Sequence, residues 1–284
     1  MNQADHYIDR VQHLPPAPRI ITQLLGLFHD PDGEIDRVVE LISHDPGLTA
    51  EMLKRCNSAC FGGGRPTASI SEAVGRLGFN EVYSVVVALT GSRVLAMNRT
   101  GGIPDPGWLW KHSVTSAVAA GTLARWVHEP EAEAFTAGLL HDLGKQVLAS
   151  TEPVAYAEVI RNSGVCGLAL TKAEEAAFGV THAQVGARLL SRWGLPPGIA
   201  HAVVQHHHEP AAATPSEERL AVLVYLANEA AHCLAGEIPI GTELSPGQIC
   251  ALNGIRAAPD QFPEILDQVR DGVQRLERLL GFKV

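Results

Sequence analysis

Apolar positions recur along the chain at three- and four-residue spacing, the period of a helix with one buried face. Between Arg19 and Phe28 they fall at Ile20, Ile21, Leu24, Leu25 and Phe28, after an entry fixed by Pro15, Pro16 and Pro18. Asp30-Pro31-Asp32-Gly33 reads as a turn, and the period restarts at Ile35, Val38, Val39, Leu41 and Ile42 until His44-Asp45-Pro46-Gly47 interrupts it. Leu48, Met52 and Leu53 continue it. A Gly62-Gly63-Gly64 loop precedes a capped helix from Ser69 to Gly78, with Ile70, Ala73, Val74 and Leu77 inward. The run from Glu81 to Leu95 is rich in β-branched residues, yet Val82, Val85, Val86 and Leu89 keep the helical spacing. A helix is expected there, since one strand among helices would have no sheet to join.

The Gly- and Pro-rich stretch 98–107 reads as a linker. Helices are predicted beyond it at 108–128, 132–150, 154–163, 170–179, 182–193, 197–208 and 217–235, then at 248–253 and 262–280. The expectation is an all-α protein: an N-terminal helical lobe at 1–100, a bundle at 108–235 and a C-terminal helical extension at 236–284. An aromatic content of only 5% agrees with packed helices better than with a β-sandwich.

The net charge of −9 comes from 22 basic and 31 acidic residues, and residues 1–100 hold 9 of the former and 11 of the latter. Neither part offers a basic footprint, so no nucleic acid partner is expected. The five cysteines follow no metal-finger spacing and cannot all pair within the chain, which suggests a reducing compartment. Cys56 and Cys60, a helical turn apart, read as small core residues. No apolar run approaches the roughly 20 residues that span a bilayer, and the polar start MNQADHYIDRVQ is unlike a signal peptide. A cytoplasmic protein without a membrane partner is expected.

Nine of the thirteen histidines lie between His112 and His232. His141-Asp142 ends the apolar AFTAGLL segment, where burial would be costly without partners, and imidazole with carboxylate suits a divalent transition metal. His182 shares a face with Val185, Gly186 and Leu189. It points inward on that reading, with Gly186 permitting a close approach; on the other it simply opens a helix after Thr181. Of the adjacent His206, His207 and His208 at least one must be exposed, because three consecutive residues cannot share one helical face.

Taken in order, His112, His141-Asp142, His182, His207-His208 and Asn228 resemble the pattern of the HD superfamily of metal-dependent phosphohydrolases, nearest the HD-GYP cyclic dinucleotide phosphodiesterases. The resemblance implies a divalent transition metal (iron, manganese, nickel or zinc) on His112, His141 and Asp142. It implies a second on Asp142, His182, His207 and His208, with Asp142 bridging and His206 a bystander. Asn228 stands where the family has its last carboxylate, and its uncharged amide oxygen binds such ions more weakly. Trp108 stands where HD-GYP relatives carry a glutamate, and EPAAATPSEE replaces their GYP segment. Lys145 would pair with a phosphate oxygen in an active enzyme; alternatively it is a basic residue near a helix C-terminus, favoured by the dipole.

The motifs LPPAP, DPGLTAEML, NSACFG and ISEAVGRLG, within residues 12–210, closely resemble the HDOD domain, the HD-related output domain of bacterial signalling proteins. This implies an HD-like helical bundle with an N-terminal helical lobe, an HDOD domain over 1–235, and an output or scaffold module acting through signalling proteins, mostly without hydrolase activity. A metal-dependent phosphohydrolase of a nucleotide or cyclic dinucleotide is the alternative. Asp45-Pro46-Gly47 and Asn57-Ser58 read as cap and turn chemistry that marks the fold.

Overall fold

The structure, a computed structural model, describes residues 3–11, 19–28, 35–57, 67–95, 106–163, 167–210, 218–236 and 244–280. The LPPAP motif, the turns at 30–33 and 62–64, residues 58–61 of NSACFG, Cys166 and most of the expected linker lie outside them. Among the described residues every regular element is a helix.

Five helices precede residue 96 after a short first one. They are α2 (Arg19–Phe28), α3 (Ile35–Ser43), α4 (Pro46–Cys56), α5 (Ile70–Leu77) and α6 (Phe79–Leu95). Ile21, Leu24, Leu25, Val38, Ile42, Leu48, Met52, Ile70, Ala73 and Val74 are buried, as the periodicity predicts. Asp45 caps α4 by accepting from Leu48 N at 2.9 Å, and Ser69 caps α5 by accepting from Glu72 N at 3.2 Å. Asn57 clamps residue 67 through both ends of its amide, accepting from Thr67 N at 2.6 Å and donating to Thr67 O at 2.8 Å. Asp45, Asn57 and Ser69 thus hold chain directions. Val82, Tyr83, Val85, Val86, Val87 and Ala88 are all buried, so α6 lacks a polar face because it lies between the other helices and α8 (Glu131–Leu140).

The rest of the chain is built on α7 (Pro106–Trp126), which packs against α8 and α14 (Arg219–Leu234). Around them stand α9 (Leu143–Thr151), α10 (Pro153–Ser163), α11 (Gly167–Phe178), α12 (His182–Arg192) and α13 (Pro197–Gln205). After α15 (Pro246–Gly254), the amphipathic α16 (Phe262–Leu280) lays Ile265, Val269, Leu276 and Leu279 against α7 and α6.

Three differences from the sequence reading matter. The polar start of the chain forms α1 (Gln3–Arg10), which packs on α12 and α9 and is held by Arg188 and Arg192 on Asp5 and by Tyr7 Oη on Phe178 O. The single helix expected over 132–150 is two, broken at His141-Asp142. The helix expected to run to His208 ends at Gln205. In both breaks the first residue beyond the helix is a histidine whose Nδ1–H donates to the carbonyl three residues back: His141 to Gly138 O at 2.7 Å, and His206 to Val203 O at 2.6 Å. The imidazole satisfies a terminal carbonyl that the next turn would otherwise leave open.

Candidate metal centre

Asp142 sits in the turn between α8 and α9, fully buried. Helix α12 reaches it because α9 and α12 touch backbone to backbone: a Cβ on Gly144 would lie 1.9 Å from His182 O, and Gly186 faces the same contact. That close approach is the role the sequence offers for Gly186. It places His182 Nε2 3.3 Å from Asp142 Oδ1. His206 Nε2 stands 3.6 Å from the same oxygen, and His207 Nε2 3.0 Å from His182 Nε2. Ligand atoms of Asp142, His182, His206 and His207 all lie within 4.8 Å of one another.

The other oxygen of Asp142 faces a second group. His141 Nε2 is 3.3 Å and His112 Nε2 3.7 Å from Oδ2, and Lys145 Nζ donates to Oδ2 at 2.7 Å. His112 Nε2 donates to Asn228 Oδ1 at 3.0 Å and lies 3.2 Å from His141 Nε2. Trp108 stacks on His112, with ring centroids 5.0 Å apart, and the Lys145 ammonium lies 5.7 Å from the Trp108 ring. Burial of His232, 4.6 Å from the His112 ring by centroids, completes this side.

The structure therefore corrects two placements. His208 is exposed, whereas His206 is fully buried against Asp142, so the pair that meets His182 is His206-His207 rather than His207-His208. The cause is the early end of α13, which turns His206 inward. Lys145 is in the first turn of α9 rather than near a helix C-terminus, and it is 3% exposed and paired with Asp142. His112, His141, Asp142, His182, His207 and Asn228 are brought together as expected.

Sequence reasoning missed Glu174. Its Oε2 accepts from His182 Nδ1 at 2.7 Å and from His182 N at 2.8 Å, and its Oε1 accepts from Tyr156 Oη at 2.8 Å. Leu170, Glu174 and Phe178 are all buried at four-residue spacing, so a carboxylate occupies the middle of an apolar stripe. That misfit is the signal the sequence held.

Burial governs the protonation of the cluster. It lowers His206 to about 3 and pushes His207 far below the usual imidazole value, as it does His112. Burial alone would also lower His182, but the Glu174 and Asp142 carboxylates outweigh it and hold His182 above its ordinary value. Burial would raise Asp142, yet His141 and Lys145 keep it well below the carboxylate range.

The site fits a divalent cation. Asp142 Oδ1 is buried and receives no hydrogen bond, while Nε2 lone pairs converge on it. The Nδ1–H groups of His182 and His206 are bound outward, to Glu174 and to Val203 O, which orients metal-ligating imidazoles. Three nitrogens and a carboxylate oxygen suit a first-row transition ion.

The helices thus gather a buried His-Asp cluster at their turns. The HDOD domain model matches residues 14–210, and the chain belongs to that family. It is 29% identical over 234 residues to an uncharacterized protein of Treponema pallidum, covering 81% of this chain and 44% of the relative. It is 30% identical over 156 residues to Ribonuclease Y of Syntrophobacter fumaroxidans, covering 55% of this chain and 23% of that one. The chain thus spans less than half the length of these curated relatives. Among solved structures, an HDOD domain protein of unknown function from Geobacter sulfurreducens superposes with a TM-score of 0.72 at 24% identity, covering 95% of this chain and 97% of that one. The MmoQ response regulator of Methylococcus capsulatus superposes with a TM-score of 0.51 at 27% identity, covering 89% of this chain and 97% of that one. No helix among the described residues is long and apolar enough to cross a membrane.

Proposed function

We propose that the chain is a signal-transduction module of the HDOD type that holds one divalent transition metal ion on Asp142, His182, His206 and His207 and acts through a protein partner. The observation that carries the metal is the orphaned Asp142 Oδ1 facing the Nε2 atoms of His182 and His206, inside a fully buried cluster. Membership of the HDOD family and the likeness to a response regulator support the signalling role. The other half of the cluster is spoken for: an ammonium already balances Asp142 Oδ2, and Asn228 brings no charge.

The alternative is a metal-dependent phosphohydrolase of a nucleotide or cyclic dinucleotide, favoured by the buried His-Asp cluster and the likeness to a ribonuclease. When bound, the ion would supply Lewis acidity to a phosphoryl oxygen. Against this reading, the Lys145 ammonium that would meet a phosphate is buried on Asp142, and His207, the most exposed of the four proposed ligands, is only 8% accessible.

The test is elemental analysis of protein purified without added chelator or nickel, with Asp142→Ala beside the wild type. One ion per chain, lost in the variant, supports the site; no metal in either removes it. Metal-dependent turnover of a cyclic dinucleotide or of bis-p-nitrophenyl phosphate by the wild type, absent in Asp142→Ala, would replace the module by the enzyme.

A further inference from the structure

Glu174 lies on α11, outside every ligand set, and nothing in the HD pattern calls for it. Its carboxylate is fully buried, with Leu170 and Phe178 on either side in the same stripe. A buried charge is costly, and an apolar residue would fill the stripe at lower cost if packing were its only task. Three hydrogen bonds fix it, two of them from His182.

The three Nδ1–H groups of the cluster whose acceptors are known differ in one respect. His141 and His206 follow helix C-termini and donate to carbonyls of their own helices. His182 opens α12, where free N–H groups gather and no preceding helical carbonyl is at hand. Its acceptor must come from another element, and the chain supplies a full negative charge. Hydrogen-bonding an imidazole to a carboxylate fixes its orientation and tautomer and raises its basicity as a ligand. The same carboxylate closes the free N–H of His182, so ring and backbone are held together. Tyr156 Oη on the opposite oxygen fixes the rotation of the carboxylate.

We propose that Glu174 is a positioning residue for the metal half of the cluster: it holds the His182 proton on Nδ1, aims the Nε2 lone pair at the Asp142 side and strengthens it as a donor to a divalent cation. This rests on the metal reading above. The test uses the full chain stripped of metal, titrated with Co2+ against a competing chelator, with the cobalt absorption spectrum and histidine 15N resonances at pH 8.5 as further readouts. Glu174→Gln keeps size and an acceptor but removes the charge. It is expected to weaken Co2+ about 10–100-fold at unchanged stoichiometry, with a melting temperature close to wild type before metal is added. Glu174→Ala removes the acceptor; it is expected to weaken Co2+ further, alter the cobalt spectrum and leave the His182 proton distributed over both nitrogens.

Wild-type affinity and an unchanged spectrum in the folded variants would overturn the assignment. If Glu174→Ala does not fold, Glu174→Gln and the wild-type 15N spectrum decide. If the wild type binds no Co2+, the metal reading fails separately: an Nδ1-protonated His182 in the wild type then still supports the positioning role, and a mixed tautomer there defeats it.

Discussion

The two sides of Asp142 use similar residues to opposite ends. On the Oδ2 side, Lys145 donates to the carboxylate and His112 donates to Asn228, so that oxygen and the amide already have their complements. On the Oδ1 side, His182 Nε2 has the Nε2 atoms of His207 and His206 at 3.0 and 3.4 Å, beside an oxygen that accepts nothing. Such an arrangement calls for a cation, either a proton or a metal ion. The difference lies in two residues. Lys145 brings a charge of its own to the first side, and Asn228 withholds the one that a carboxylate would bring. One side is therefore a hydrogen-bonded core while the other keeps its open chemistry.

The largest break in this comparison is Asp142→Ala, which removes both sides at once. It should abolish metal uptake by elemental analysis and also strand the Lys145 ammonium, lowering stability by about 3–5 kcal/mol in denaturant unfolding. Asp142→Asn keeps the shape and separates the two effects: metal is still lost, with a smaller loss of stability.

Lys145→Met should affect the Oδ2 side alone. Leaving that oxygen buried without its ammonium should cost about 3 kcal/mol in the metal-free protein; a change below 0.5 kcal/mol, on the order of an inconsequential surface substitution, would show that the pair contributes nothing.

Between adjacent histidines the contrast is sharper. His206→Ala should weaken divalent metal binding by at least about tenfold, whereas His208→Ala, on the exposed face, should leave affinity and melting temperature unchanged. Equal effects would refute the assignment of His206 to the Oδ1 side.

Acid should weaken the protein through His206. Its folded value of about 3 lies below the unfolded value near 6.5, so the unfolded chain takes up the proton first. Stability from this group is complete above about pH 6.5 and declines as pH falls towards 3. His182, raised in the fold, works in the opposite sense: what it adds in the metal-free protein is present below its unfolded value and is lost as pH rises through its folded one. Unfolding from pH 8 to 4 should thus show His206→Ala with a flatter acid limb than wild type. The smallest effect expected is that of Asn228→Asp, which restores a charge to the Oδ2 side and should lift metal content above that of the wild type while Lys145 still competes.

Much of this was written locally in the sequence. The period of Ile21, Leu24 and Leu25, the caps at Asp45 and Ser69 and the His-Asp pair are chain-local signals, because helix formation and capping act within a turn or two. Helix α6 was legible despite its β-branched residues, since its spacing outweighed its propensity. The start of α1 was not, because its hold on α12 comes from Asp5 pairing with Arg188 and Arg192 far along the chain.

By itself, then, the sequence determined the helices, the family motifs and the supply of imidazoles and carboxylates. Only the tertiary structure decided which of them meet. Whether His206 or His208 faces Asp142 depends on where α13 stops, the role of Lys145 on the break that makes Asp142 the start of α9, and the role of Glu174 on a 2.7 Å contact from α11 to α12. Hydrogen bonding and charge act over those few ångströms, and contacts of that precision between distant segments are fixed by packing such as the Gly144–His182 approach, which no local pattern encodes.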